Sequence, residues 1–169
     1  MAISKIKICN FKGFKGLFTL ELNKGLNILV GNNETGKSTI LEAIHLALTG
    51  LYGGKYIHNE LSQYLFNNEV IEEYLQSVND GVPIEPPSVL IEIYFDGSID
   101  PVFEGNLNTD HATKAEGLQF KIAYNDKYND EYQKVVDSKQ LSSLPIEYYE
   151  ASWTSDVCSS DLSWRFDNS

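Results

Sequence analysis

The sequence predicts an α/β lobe in which a phosphate-binding loop joins a short strand to a helix, beside a mixed, largely antiparallel sheet. Three observations carry that prediction. Residues 26–48 read L-N-I-L-V-G-N-N-E-T-G-K-S-T-I-L-E-A-I-H-L-A-L, and 31–38 within them fit the P-loop pattern G-x-x-x-x-G-K-[ST]. Leu26, Ile28, Leu29 and Val30 before the motif read as a strand, whereas Ile40, Leu41, Ile44 and Leu48, flanked by Ala43 and Ala47, recur at helical spacing after it. Further on, residues 89–95 and 118–124 alternate apolar with polar and are separated by a polar loop, which calls for antiparallel strands.

The motif carries its own chemistry. Gly31 and Gly36 permit backbone angles that turn successive N–H groups around a phosphate. The positive end of the following helix favours the same anion. Lys37 is placed to reach the β- and γ-phosphates, and the Ser38 hydroxyl to ligate Mg²⁺. The whole cradle, from Gly31 through Thr35 to Thr39, comes from one loop and one helix start.

Taken in order, Ile3, Lys5, Ile6, Lys7 and Ile8 give a first strand ending near Asn10-Phe11, and residues 12–16 a turn. Phe18, Leu20 and Leu22 alternate with Thr19 and Glu21 as a half-buried strand, and Asn23-Lys24-Gly25 turns the chain into the loop strand. The helix stops at Thr49-Gly50. Residues 59–78 read as a second helical stretch interrupted at Asn67-Asn68, followed by a Pro- and Gly-bearing loop. After the strand at 89–95, residues 97–117 read as a long polar loop leading to the strand at 118–124. Residues 125–145 are polar, with an edge strand expected near 133–136, and 146–151 give a last short strand.

Composition narrows the functional classes. The net charge of −11 argues by itself against a nucleic-acid surface, yet residues 1–55 hold seven Lys against three Glu. No run of about 18 apolar residues exists to span a membrane, and the opening lacks a secretory signal. Cys9 and Cys158 stand far apart and the three histidines form no ligand spacing, which fits free thiols in a cytoplasmic protein without a structural metal. The L-I-E-I-Y-F-D strand ending at Asp96 looks like a Walker B strand, but Glu92 interrupts its apolar run and Gly97 follows where an acid is needed. L-S-S at 141–143 is followed by Leu144-Pro145, which does not continue as an ABC signature, and the absence of N-K-x-D disfavours GTP. No catalytic residue is identifiable.

The opening I-x-K-I-K-I-C-N-F-K-G-F-K, a second strand, and then L-N-I-L-V-G-N-N-E-T-G-K-S-T-I-L-E-A-I together resemble the N-terminal half of SMC-like ABC ATPases, the class that includes RecF and the OLD-family ATP-dependent endonucleases. The stretches H-N-E-L…L-F-N-N, V-L-I-E-I-Y-F-D and L-P-I-E-Y-Y-E look most like the OLD family. The resemblance covers roughly residues 1–153. It implies an ATPase head that binds ATP and Mg²⁺, pairs with a second copy as a homodimer, and acts on DNA. A C-terminal nuclease domain follows in OLD proteins. It also implies that Asn32, Asn33 and Glu34 line the phosphate loop, with Asn10 and Lys12 close to nucleotide or DNA. The chain lacks a signature loop, a switch histidine and a nuclease domain, so residues 1–154 are expected to be an incomplete N-terminal lobe. Alternatives are a RecF-like or other anti-phage ATPase without a nuclease domain, and an ATP-gated binding module.

Residues 155–162, S-D-V-C-S-S-D-L, are the in-frame translation of TCAGACGTGTGCTCTTCCGATCT, a common sequencing-adapter sequence. Residues 155–169 are therefore expected to be a foreign tail with no evolved role.

Overall fold

Five strands form one sheet: β1 (Ala2–Cys9), β2 (Leu17–Glu21), β5 (Val89–Asp96), β6 (Gly117–Tyr124) and β7 (Tyr149–Thr154). The computed structural model describes residues 2–31, 36–96 and 117–154. The sheet order is β2-β1-β5-β6-β7, and every pairing in it is antiparallel. The register follows the apolar alternation. Ile6 and Ile8 oppose Ile93 and Ile91, which in turn oppose Leu118 and Phe120, so one face of the sheet is a continuous apolar surface. Trp153 and Ala151 of β7 extend that face beside Phe120 and Ile122.

Helix α1 (Lys37–Thr49) lies across this face and buries Ile40, Ala43, Leu46 and Ala47 against β5 and β6. Trp153 fixes its last turn by donating from Nε1 to the Ala47 carbonyl at 3.0 Å. The helix ends at Gly50, whose N–H returns to the Leu46 carbonyl. A two-stranded hairpin follows, β3 (Leu51–Tyr52) and β4 (Lys55–Tyr56), turning at Gly53 and Gly54. Both glycines have positive φ, 60° and 82°, which the tight hairpin turn requires and side chains disfavour.

The helical stretch expected at 59–78 is split into α2 (Ile57–Glu60), a 3₁₀ turn (Gln63–Leu65) and α3 (Asn68–Asn79). The break falls at Asn67, as its sequence suggests. The Asn67 side chain accepts from the Glu69 and Val70 N–H groups and so caps α3. Among the described residues the last α-helix is α4 (Asn129–Asp137).

Three expectations are corrected. The edge strand near 133–136 is part of α4. Tyr132 and Val136, four residues apart, share its buried face, and Asp130 and Glu131 occupy the first turn where the helix dipole favours acids. The last strand starts at Tyr149 rather than Ile146, because Pro145 opens a 3₁₀ turn over Ile146–Tyr148, and it runs on to Thr154. Residues 26–30 are not a strand. No strand pairs with them among the described residues, and Asn27 instead closes a local turn through Asn23 and Gly25. Leu26, Ile28 and Val30 are left 84%, 73% and 89% exposed. The expected loop at 97–116 and the tail at 155–169 lie outside the described residues.

On the opposite sheet face Glu92 is fully buried. Its carboxylate accepts from the Tyr94 hydroxyl at 2.7 Å and from Gln119 Nε2 at 2.9 Å, with Lys7 Nζ 3.9 Å away. A charge out of water is tolerated when paired and hydrogen-bonded in this way. No helix among the described residues is long and apolar enough to cross a membrane.

Candidate nucleotide-binding site

The site begins at Gly36, which stands at φ 80° and ψ 8° as the N-cap of α1. Gly36 has no side chain to cap this end and no acid lies in the first turn, so among the described residues no side chain offsets the positive end of the helix dipole. Such an end fits a phosphate. Lys37, the first helical residue, folds back to donate from Nζ to the Gly31 carbonyl, so it reaches across the mouth of the loop. Ser38 is exposed and Thr39 half-buried at the same end. The structure therefore brings Gly31, Gly36, Lys37, Ser38 and Thr39 to one helix terminus. Asn32, Asn33, Glu34 and Thr35 lie outside the described residues.

This donor set suits a Mg²⁺-bound nucleotide phosphate. It offers backbone N–H groups at the start of α1, the Lys37 ammonium and the hydroxyls of Ser38 and Thr39, and the only acid in the motif is Glu34. Among the described residues no cluster of three His, Cys, Asp or Glu could hold a metal without such a ligand. Asp96, at the end of β5, pairs with Lys24 at 3.4 Å. Cys9 is a free, half-buried thiol whose pKa burial raises.

The turn joining β1 and β2 packs on this helix end. Asn10 and Lys12 hold positive φ, 55° and 48°, an unfavourable conformation for a long side chain. Hydrogen bonds hold it there. Lys12 N–H donates to the Leu65 carbonyl at 3.1 Å, its own carbonyl accepts from Asn67 Nδ2 at 2.7 Å, and Asn10 Oδ1 accepts from the Gly16 N–H at 3.0 Å. The Lys12 ammonium meets Glu42 of α1 and lies 4.9 Å from the centre of the Tyr52 ring. Burial pulls its pKa down, but hydrogen bonds to Glu42 and Tyr52 outweigh that and leave it raised. Lys15 bridges Glu69 and Glu73 of α3 at 3.0 and 2.6 Å. An open cleft of about 470 Å³ separates the turn from the start of α3, with Tyr64 and Asn68 on its wall.

The structure places Lys12 against Glu42 of α1, and adds two residues that the sequence does not announce. Glu42 holds Lys12, and the Phe14 ring closes on Gly36. The available signal for the second was an aromatic at the tip of a K-G-F-K-G turn.

A glycine-bounded loop that opens an uncapped helix on an antiparallel sheet defines a P-loop NTPase lobe of the α/β class. The chain belongs to the AAA domain family, which matches it over residues 5–160. Over 75 residues it is 33% identical to the DNA replication and repair protein RecF of Clostridium tetani, covering 44% of this chain and 20% of that protein. It is 37% identical, also over 75 residues, to the retron Ec83 probable ATPase of Escherichia coli, covering 44% of this chain and 13% of the relative. The chain thus matches a fifth or less of the length of these two relatives. A solved structure from work on ATP-driven dimerisation and DNA-stimulated activation of SMC ATPases aligns with a TM-score of 0.41 at 20% identity, covering 72% of this chain and 62% of that one.

Proposed function

We propose that the chain is the ATP-binding lobe of a DNA-processing ATPase related to RecF. Gly31–Thr39 cradle the phosphates, with Asn32, Asn33, Glu34 and Thr35 lining the loop, and Ser38 ligates Mg²⁺. The observation that carries this reading is the start of α1 at the left-handed Gly36, with no side-chain cap or first-turn acid among the described residues and Lys37 reaching over Gly31. The relatives' names support DNA as the partner of the whole protein. Homodimeric heads rest on the sequence resemblance to SMC-like ATPases. Two versions of the whole protein are open: an OLD-type ATP-dependent endonuclease, supported by the stretches around residues 58–68, 89–96 and 144–150, and a RecF-like ATPase without a nuclease, supported by the similar proteins. Gene sequence beyond Thr154 separates them, since nuclease carboxylate motifs favour the first.

Residues 1–154 are proposed as an incomplete lobe. Exposed apolar residues at 26–30, and Leu41 and Leu48 of α1 at 61% and 42% exposure, are surfaces that a further lobe could cover. The lobe alone is expected to bind ATP weakly, in a Mg²⁺-dependent way, with negligible turnover, because it offers a cradle but no identified base. Calorimetric titration with ATP and Mg²⁺, beside a phosphate-release assay, tests this. Lys37→Ala removes a charge-assisted contact and should weaken binding by about tenfold or more, while Ser38→Ala should mainly remove the Mg²⁺ dependence. Binding indifferent to Lys37→Ala would remove the P-loop as the site.

A further inference from the structure

The phosphate loop has a support that its own motif does not contain. A Cβ built on Gly36 would meet Phe14 Cζ at 3.0 Å, Cε2 at 3.4 Å and Cε1 at 3.7 Å. The para carbon is nearest and both its neighbours follow, so the ring points end-on at the Gly36 backbone. Phe14 is itself held. Its ring packs on Phe18, with centroids 4.6 Å apart, and its N–H donates to the Phe11 carbonyl at 2.9 Å. Phe11 is fully buried and bridges to Phe66, so the base of the turn is anchored in the core. The same turn grips α1 a second time through Lys12 and Glu42.

We infer that Phe14 is a positioning residue for the phosphate loop, holding Gly36 in the left-handed conformation that directs the first N–H groups of α1 at an anion. The reasoning is conformational. Glycine populates many backbone states, and among the described residues no side-chain cap fixes this one. A glycine at φ 80° with nothing against it would sample the alternatives, and anion affinity falls in proportion to the competent fraction. A ring end abutting the glycine removes those alternatives on one side, and adds no polar atom that could compete with phosphate for the N–H groups. Strain at Lys12, offset by a bond from its N–H to the Leu65 carbonyl and one from Asn67 Nδ2 to its own carbonyl, keeps the turn tight enough to present the ring.

This inference rests on the nucleotide reading above, and its test separates the two. In the full 169-residue chain, ATP affinity with Mg²⁺ is measured by calorimetry for Phe14→Ala, Phe14→Met and Phe120→Leu, and amide exchange at Gly36 and Lys37 by ¹⁵N NMR. Phe14→Ala should weaken binding by about fivefold or more and speed exchange at both amides by a similar factor. Phe14→Met, unbranched and reaching nearly as far, should stay within about twofold of the parent on both measures. Phe120→Leu loosens the core away from the turn and should change neither. Phe14→Ala binding like the parent, or Phe120→Leu losing as much affinity, overturns the inference. If ATP binding withstands Lys37→Ala, the nucleotide reading falls while Phe14 is judged by exchange alone, and unchanged exchange in Phe14→Ala overturns it.

Discussion

Three tyrosines from different elements bring their hydroxyls together in the core: Tyr74 of α3, Tyr132 of α4 and Tyr149 of β7. Tyr74 and Tyr132 hydrogen-bond to each other, and the buried Tyr149 hydroxyl lies close enough to Tyr132 to interact with it but forms no well-shaped hydrogen bond among the described residues. Tyr149→Phe deletes that group and keeps the ring, which packs edge-on against Phe66 at 5.5 Å. An unsatisfied buried polar group costs about 1–3 kcal/mol, and the small void left by one oxygen returns part of that. The substitution should therefore stabilise the fold by about 1 kcal/mol, raising the thermal midpoint by ~2–4 °C for a chain of this length. The pairing makes a sharper claim. In Tyr74→Phe the Tyr132 hydroxyl loses its partner but can turn to Tyr149, so the single change should cost under about 1 kcal/mol. In the Tyr149→Phe background the same change strands Tyr132 and should cost about 1–2 kcal/mol. Denaturant unfolding of the two single variants and the double gives the coupling directly. Loss of stability beyond about 1 kcal/mol in Tyr149→Phe, or strict additivity in the double, would show that the Tyr149 hydroxyl is already satisfied and refute the reasoning.

Two further outcomes are expected. Asn67→Ala removes the cap of α3 and the bond from Nδ2 to the Lys12 carbonyl in one step, and should lower stability by about 1–2 kcal/mol in denaturant melts, whereas Asn67→Asp, which keeps the cap, should lose less. Alkaline pH should unfold the chain through the tyrosine cluster. Burial raises the pKa of Tyr74, Tyr132 and Tyr149 above the ordinary tyrosine value, so the folded state keeps protons that the unfolded chain releases. Their contribution is complete below about pH 10 and is lost as pH rises beyond it toward the raised values. Phenolate absorbance should then rise for these residues only as far-ultraviolet circular dichroism collapses, and complete ionisation of all ten tyrosines in a native-like fold would contradict it.

How much of this was legible in the chain depended on whether a feature was local. The strand β5 and its neighbour β6 could be read because alternation is a property of the segment itself, and Asn67 could be read as a break because a cap acts within three residues. Residues 133–136 misled because two valines favour a strand, while Tyr132, which anchors the helix, packs on the rings of Tyr124 and Tyr148 outside that segment. The segment 26–30 is the converse case. Its residues suit a strand, but a strand exists only as one side of a ladder, and no partner lies beside it among the described residues. The proposed phosphate loop could be read for the same reason as the cap, since its glycines, lysine and serine lie within one short segment. What surrounds it was not. Lys12 and Glu42 stand 30 positions apart, and nothing in either neighbourhood announces the other. The motif therefore names the groups proposed to meet a phosphate, while the distant turn that packs against Gly36 became visible only in the fold.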